Sequence, residues 1–241
     1  MSPDTRHHRG PHPADPKLFG PDQLGMLRQS VNDLSWLLTS GYNITSSLKL
    51  VGDRYGLRER QRLAVRRSSC SDQERQRRKD HRIFVEQLRN ESVIIDGFNL
   101  LITIEAALSR GPLLIGVDGC VRDLSGVHGS YKAVDETDRA LAMIGEAFEV
   151  IRPASVLWLL DRPVSNSGRL ASRIAEVAIQ REWPWRVEVV FNPDSRMMSS
   201  SDVAITSDAS VLDGVERWAD FKSYLLAREI PDAWVINLSS V

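Results

Sequence analysis

The stretch SVIIDGFN at residues 92–99 is the most informative segment of this chain. A short apolar run rich in β-branched residues and stopped by glycine is typical of a central parallel strand that is buried on both faces. The run ends in Asp96, and Asn99 follows three residues later. Open α/β sheets bind ligands at the carboxyl ends of such strands, so we expect Asp96 to lie at a functional site.

Two later segments have the same design. Residues 155–160 are a hydrophobic run that ends in Asp161, and residues 203–207 are a shorter run that ends in Asp208. One such aspartate alone would be interpreted as a helix N-cap. Three of them, each directly after a buried strand, favour an acidic site at one sheet edge that binds Mg²⁺ or Mn²⁺.

The order of predicted elements divides the chain into three parts. Residues 1–20 are rich in proline and histidine and are predicted to be a disordered tail. Residues 21–90 are predicted to form a small all-helical domain with a helix-turn-helix-like pattern. Residues 91–241 alternate strands with helices, which predicts an α/β domain with a mostly parallel, Rossmann-like sheet and helices on both faces. Within it, residues 211–227 are predicted as a single helix.

The predicted domains differ in charge, although the formal net charge of the chain is −1. Residues 17–91 contain 15 Lys and Arg against 9 Asp and Glu, whereas residues 92–241 contain 14 against 21. This division suggests that the first part binds a polyanion, through residues such as Arg66 and Arg67, and that the second holds metal. Chance and solvated helix faces are the alternative explanation.

Composition excludes several classes of protein. A hydrophobic fraction of 42% and a charged fraction of 26% are ordinary for a globular chain. No apolar stretch has the length of a membrane span, and the N-terminus lacks a secretory signal, so we expect a cytoplasmic protein without a membrane partner. Cys70 and Cys120 are too far apart for a cysteine metal motif. The sequence is compatible with a homo-oligomer.

The loop after Asp161 is a second candidate feature. Backbone amides and hydroxyls at a helix start, flanked by arginines, are the usual provision for an anion. The predicted phosphate- or RNA-binding residues are Arg162, Ser165, Asn166, Ser167, Gly168 and Arg169, together with Ser207 beside the third aspartate. An ordinary N-cap with surface arginines is the alternative. Asp118 is a candidate fourth metal ligand, and His128 is either an acid–base group or a hydrogen-bonding residue.

Short motifs resemble known families. IIDGFN at 94–99 and ITSD at 205–208 resemble the first and last acidic motifs of the PIN-like nucleases, especially their NYN branch. That resemblance implies a PIN-like sheet, a divalent-metal site and cleavage of RNA, with Asp161 as the middle-strand acid. The chain also resembles, over most of its length, the uncharacterised prokaryotic family called domain of unknown function 434. It departs from the nuclease pattern at Ser210, where a second acid is often found, and in the insertion at 111–131.

These features together predict a metal-dependent ribonuclease, specifically an endonuclease. Asp96, Asp161 and Asp208 would bind the metal, and Asn99 would position water or a phosphate oxygen. Two alternatives remain open: a non-catalytic RNA-binding protein with a degenerate nuclease fold, and a phosphatase or phosphotransferase acting on a small substrate. The sequence does not distinguish RNA from DNA.

Overall fold

The computed structural model of the protein describes residues 8–125 and 131–239. In chain order, the strands within these residues are β1 (Arg82–Ile83), β2 (Ser92–Asp96), β3 (Leu113–Ile115), β4 (Val121–Asp123), β5 (Ser155–Asp161), β6 (Trp185–Val190), β7 (Val203–Ile205), β8 (Trp218–Ala219) and β9 (Val235–Asn237).

The helices alternate with these strands after the N-terminal part. They are α1 (Asp15–Leu18), α2 (Pro21–Thr39), α3 (Ile44–Arg54), α4 (Glu59–Ser68), α5 (Asp72–Asp80), α6 (Gly97–Leu108), α7 (Thr137–Ile151), α8 (Ser167–Gln180), α9 (Pro193–Met198), α10 (Ala209–Leu212) and α11 (Phe221–Glu229), with a 3₁₀-helix at Val85–Leu88. None of the helices in the described ranges combines the length and hydrophobicity that crossing a membrane requires.

Six strands form one sheet in the order β1-β8-β7-β2-β5-β6, and all paired neighbours in it are parallel. From β2 the chain adds β5 and β6 on one side, and it then adds β7 and β8 on the other side. The direction of winding therefore reverses next to β2, and doubly wound sheets bind their ligands at the strand carboxyl ends near such a point. The prediction of an α/β protein with a mostly parallel sheet, preceded by helices, is confirmed.

The continuous hydrophobic runs form strands because both faces of the sheet are covered. On one face, Val93 and Ile95 of β2 belong to a core that includes α6, α7 and α8. On the other face, Ile94 packs with Met197 of α9 and Val211 of α10. The three β2 side chains are fully buried. Each contributes about 1.5–3 kcal/mol, which fixes β2 at the centre and its carboxyl end at the winding reversal.

The N-terminal helices share their hydrophobic core with strands of the predicted α/β domain. Leu27 and Val31 of α2 pack with Leu114 of β3 and Ile236 of β9. These strands belong to a second sheet in the order β4-β3-β9, where β3 is antiparallel to β4 and parallel to β9. Residues 21–90 were predicted to be wholly helical, but they contain β1, which joins the main sheet beside β8. One hydrophobic core and one sheet therefore contain residues from both sides of the boundary predicted at residue 90.

Residues 8–20 differ from the predicted disordered tail. They include α1, and the buried carboxylate of Asp15 pairs with Arg60, whose Nη2 donates to Oδ2 at 2.8 Å. Phe19 packs into the core of the N-terminal helices. Arg9 also forms an ion pair with the buried carboxylate of Glu105, so contacts with distant residues hold the segment, and such contacts leave little trace in its composition.

Residues 211–227 do not form the single helix that was predicted. They contain the end of α10, then β8, then most of α11. Trp218 in β8 is buried and donates its indole N–H to the Arg78 carbonyl at 2.7 Å. Burial of this large side chain and the pairing of β8 between β7 and β1 outweigh the local helical pattern.

Candidate functional site

A cleft of about 670 Å³ lies at the carboxyl ends of the parallel strands, between the main sheet and the N-terminal helices. It contains the aspartates that follow β2, β5 and β7, together with arginines of α4 and α5. The charged residues in its lining are Asp96, Asp123, Asp161, Asp194, Asp208, Glu74, Arg66, Arg67, Arg78 and Arg122. The structure thus brings the three strand-end aspartates into one cavity with Arg66 and Arg67.

Asp96 ends β2 and caps α6. Its Oδ1 accepts a hydrogen bond from the Asn99 backbone N–H at 3.2 Å, and its Oδ2 accepts one from the Thr206 hydroxyl at 3.0 Å. Burial raises the pKa of this carboxyl to about 6, and the charge of Asp208 adds to the increase. A carboxylate can accept about four hydrogen bonds, so Asp96 is a helix cap that can still bind a further donor or a cation.

Asp208 follows β7 and caps α10 through one oxygen. Its Oδ1 accepts hydrogen bonds from the Ser210 backbone N–H at 2.9 Å and from the Ser210 hydroxyl at 2.5 Å. Its Oδ2 has no hydrogen-bond partner among the residues that the structure describes. Asp208 is therefore the N-cap of α10, and Ser210, in the first turn of this helix, donates to it.

Asp194 is an acidic residue of the cleft that the sequence did not single out. It lies in α9, shortly after β6, and its pKa is raised by burial and then by the negative charges of Asp208 and Asp161. Burial also raises the pKa of Asp161. Asp194 is therefore within electrostatic range of both Asp208 and Asp161. The segment Phe191–Pro193 separates Asp194 from β6, so Asp194 lacks the sequence pattern of an acid that directly ends a strand.

Lys222 of α11 is a second residue that the sequence did not indicate, and it fixes the orientation of Asn99. Its ammonium group donates to Asn99 Oδ1 at 2.6 Å, to Thr103 Oγ1 at 2.9 Å and to Ser207 Oγ at 2.7 Å. The Ser207 backbone N–H also donates to Asn99 Oδ1, at 2.8 Å. Because these donors hold the oxygen, the amide NH₂ of Asn99 is the group left to donate to a ligand in the cleft.

The cleft offers the oxygen ligands that a hard divalent cation prefers. Asp123 also lines it, and this side chain is largely buried, with an Oδ1 that lacks a hydrogen-bond partner among the described residues. Within residues 8–125 and 131–239, however, no group of three or more His, Cys, Asp or Glu side chains is close enough to hold a metal ion. A cation held by one or two carboxylates and completed by water, as is common for Mg²⁺, fits this spacing.

Asp118, the candidate fourth metal ligand, belongs instead to a buried ion network. Its Oδ2 accepts hydrogen bonds from Arg78 Nη1 and Arg122 Nη2, each at 2.7 Å, and its Oδ1 accepts one from Arg122 Nη1 at 2.9 Å. Burial alone would raise the pKa of Asp118, but the two guanidinium groups outweigh it and hold the pKa well below its usual range. Arg122 also donates to the Ser207 carbonyl at 2.8 Å, so the network supports the loop that carries Asp208.

The predicted phosphate loop is divided between two places. The Arg162 guanidinium lies over the Phe191 ring, 4.6 Å from its centroid. Asn166 donates its side-chain amide to the Tyr131 carbonyl at 2.8 Å and, with Arg169, lines a separate pocket of about 240 Å³. Of the other predicted residues, Ser165 and Gly168 are exposed and Ser167 is buried in α8, and none of the three lines the aspartate cleft. The loop does not form one cradle beside the aspartates, because its contacts are with the segment at residue 131. His128 lies outside the described residues.

The arginines of α4 fall into two groups. Arg60 and Arg62 form ion pairs with aspartates of the N-terminal part. Arg67 lines the cleft and donates to the Ser125 carbonyl at 2.9 Å. Arg66 also lines the cleft, is exposed, and has no hydrogen bond or ion pair with any residue that the structure describes. Part of the basic character is therefore internal, and Arg66 is available to an anionic ligand.

Fold and cleft together define an α/β protein whose parallel sheet carries an acidic cleft beside N-terminal helices. Residues 85–224 match the family model described as Domain of unknown function (DUF5616), and the chain belongs to this family. Residues 26–81 match the model described as Protein of unknown function (DUF434). The predicted resemblance to domain of unknown function 434 is confirmed over the N-terminal helices.

The chain is also similar to the uncharacterized protein MJ0935 of Methanocaldococcus jannaschii. The two are 28% identical over 186 residues, which cover 77% of this chain and 88% of that protein. No solved structure matches the chain significantly.

Proposed function

We propose that this chain is a metal-dependent ribonuclease, an endonuclease that hydrolyses RNA phosphodiester bonds in the cleft. The observation that carries the proposal is that Asp96, Asp161 and Asp208, from three neighbouring parallel strands, share one cavity with Arg66 and Arg67. Clustered carboxylates attract a divalent cation, and an exposed guanidinium attracts a phosphate. Metal-assisted hydrolysis of a phosphodiester needs both.

A PIN-like form of the α/β fold is part of the proposal. It is supported by the winding of the sheet outward from β2 to both sides and by acids at the carboxyl ends of β2, β5 and β7. These acids lie where doubly wound sheets bind their ligands.

Six residues of the cleft have a role in this proposal. One or two of Asp96, Asp161 and Asp208 would bind Mg²⁺ or Mn²⁺ directly, with water completing the coordination, and the other carboxylates of the cleft, Asp194 among them, would add negative charge. What such a cation supplies is a lower pKa for an attacking water and neutralisation of charge on the phosphoryl oxygens. The Asn99 amide would donate to a phosphoryl oxygen, and Arg66 would bind a phosphate of the RNA backbone.

An RNA cleavage assay tests the proposal. The protein should cut single-stranded or structured RNA in Mg²⁺ or Mn²⁺ and should stop cutting in EDTA. Asp96→Asn should lower the rate by about 100-fold or more, because it removes a charge while asparagine can still cap α6. Asp232→Asn is the matched control, since Asp232 is an exposed aspartate 3.3 Å from Arg110 and should leave the rate unchanged. Equal rates for Asp96→Asn and wild type would reject the assignment.

A second candidate is a non-catalytic RNA-binding protein. The spacing of the carboxylates favours it, because no three of them within the described residues are close enough to share a metal ion. RNA binding in EDTA, without strand scission in any divalent cation, would support this candidate. No comparable observation favours the small-substrate phosphatase, since the predicted phosphate loop lies outside the aspartate cleft.

A further inference from the structure

Phe191 is an exposed phenylalanine at the same sheet edge as the aspartates. It directly follows β6, in which Val190 is in register with Asp161 of β5. Adjacent strands lie roughly 4.8 Å apart, so Phe191 is about 10 Å along the edge from the end of β2. Its side chain is 70% exposed, while Asp194, three residues later, lines the cleft. The ring is therefore accessible beside the acidic cleft.

The guanidinium group of Arg162 forms a cation–π contact with this ring. Its guanidinium lies 4.6 Å from the ring centroid, and it forms no ion pair with a carboxylate of the described residues. Its backbone N–H donates to the Val190 carbonyl at 2.7 Å, so the loops after β5 and β6 keep the two residues together. An exposed ring alone is ordinary. An exposed ring together with an unpaired guanidinium, beside an acidic cleft, suits a ligand that combines an aromatic ring with a negative charge.

We propose that Phe191 and Arg162 form a subsite that stacks one unpaired nucleobase of the RNA. Bases stack on aromatic rings and on guanidinium planes with little sequence preference. The same guanidinium can donate to the adjoining phosphate. Bases within a duplex are stacked on one another, so the subsite selects an unpaired nucleotide next to the phosphodiester in the cleft. The inference rests on the proposed function for the position of that phosphodiester, but base stacking can be measured without cleavage.

The test is binding of a single-stranded RNA that carries 2-aminopurine, whose fluorescence is quenched when it stacks. Every variant is made in the Asp96→Asn chain with Mg²⁺, so that the RNA stays intact. Phe191→Ala should weaken binding by roughly five- to 100-fold and remove the quenching. Phe191→Trp should keep both. Phe84→Ala is the matched control, because Phe84 is 75% exposed and follows β1 at the opposite end of the sheet. It should bind like the parent chain.

Unchanged affinity and quenching in Phe191→Ala would overturn the subsite, as would equally tight binding of duplex RNA or no binding of single-stranded RNA. The outcomes separate this inference from the proposed function. Loss of quenching in Phe191→Ala, with a wild type that never cuts RNA, supports the subsite and rejects the nuclease. A wild type that cuts RNA, together with a Phe191→Ala variant that binds the RNA like the parent chain, supports the nuclease and rejects the subsite.

Discussion

Lys222 is a buried lysine whose ammonium group contacts Asn99, Thr103 and Ser207. Burial lowers its pKa from 10.5 to about 8, although the negative charges of Asp123 and Asp96 oppose this change. The perturbation that isolates this effect is Lys222→Met, which keeps a long apolar side chain and removes the charge. The Ser207 backbone N–H still donates to Asn99 Oδ1 in this variant.

The sign of the expected effect follows from where each state releases the proton. The folded protein loses the Lys222 proton near pH 8, whereas the unfolded chain keeps it until about pH 10.5. Between these values the unfolded state binds more protons, so the contribution of Lys222 to the free energy of unfolding rises with pH. A pKa lowered from 10.5 to about 8 corresponds to about 3 kcal/mol in total, of which about 2.5 kcal/mol develops between pH 7 and pH 10.

Urea unfolding followed by tryptophan fluorescence at pH 7, 8.5 and 10 measures this effect. Burial also raises the pKa of the Cys70 thiol, to about 12, which lowers stability at high pH in both proteins. The difference between wild type and Lys222→Met removes this shared contribution. Between pH 7 and pH 10, the free energy of unfolding of wild type should rise by about 2.5 kcal/mol relative to that of the variant. Lys79→Met, at an exposed position of α5, is the control for replacing a lysine with methionine. A constant difference for Lys222→Met would refute the reasoning.

Two further predictions concern the buried carboxyl groups. The pKa of Asp96, raised from 3.8 to about 6, lowers stability as pH rises through this interval, because the folded state then binds more protons than the unfolded state. Asp96→Asn should therefore be more stable than wild type at pH 7.5 without divalent cations, by up to about 3 kcal/mol, with the gain absent at pH 4 in thermal unfolding. Asp118→Asn should lower the free energy of unfolding by about 3–5 kcal/mol, since it leaves Arg122 buried without a counter-charge and leaves Arg78 paired with Asp213 alone. Asp138→Asn, which breaks an exposed pair with Arg173, should cost less than about 1 kcal/mol, and equal losses for the two variants would contradict this account.

The network around Asp118 also connects the N-terminal helices to the acidic cleft. Arg78 of α5 binds Asp118 and also pairs with Asp213, which directly follows α10, through an Nε–Oδ1 contact of 2.7 Å. Asp208 caps the start of α10. The residues matched by the two family models are therefore joined at the cleft by buried charges. We infer that the N-terminal helices stabilise the cleft as well as forming its basic wall.

The strand-end aspartates were predictable because their signal is local. Continuous hydrophobic runs form buried parallel strands, and the carboxyl ends of parallel strands meet at one edge. The residue that follows such a run is therefore placed by the strand itself. The same local signal placed Asp96, Asp161 and Asp208 at one sheet edge, and it also indicated the α/β class.

Asp194, Lys222 and the ion network of Asp118 depended on tertiary structure. Lys222 contacts Asn99 across 123 positions of sequence, and Arg78 contacts Asp213 across 135. No period of hydrophobic residues encodes which distant charge will be buried beside which partner. Local hydrophobic patterns were enough to predict the class of fold and the sheet edge where acids gather. Only the packed chain decided which acids are free, because pairing of buried charges depends on burial and distance, and both are set after the layers have packed.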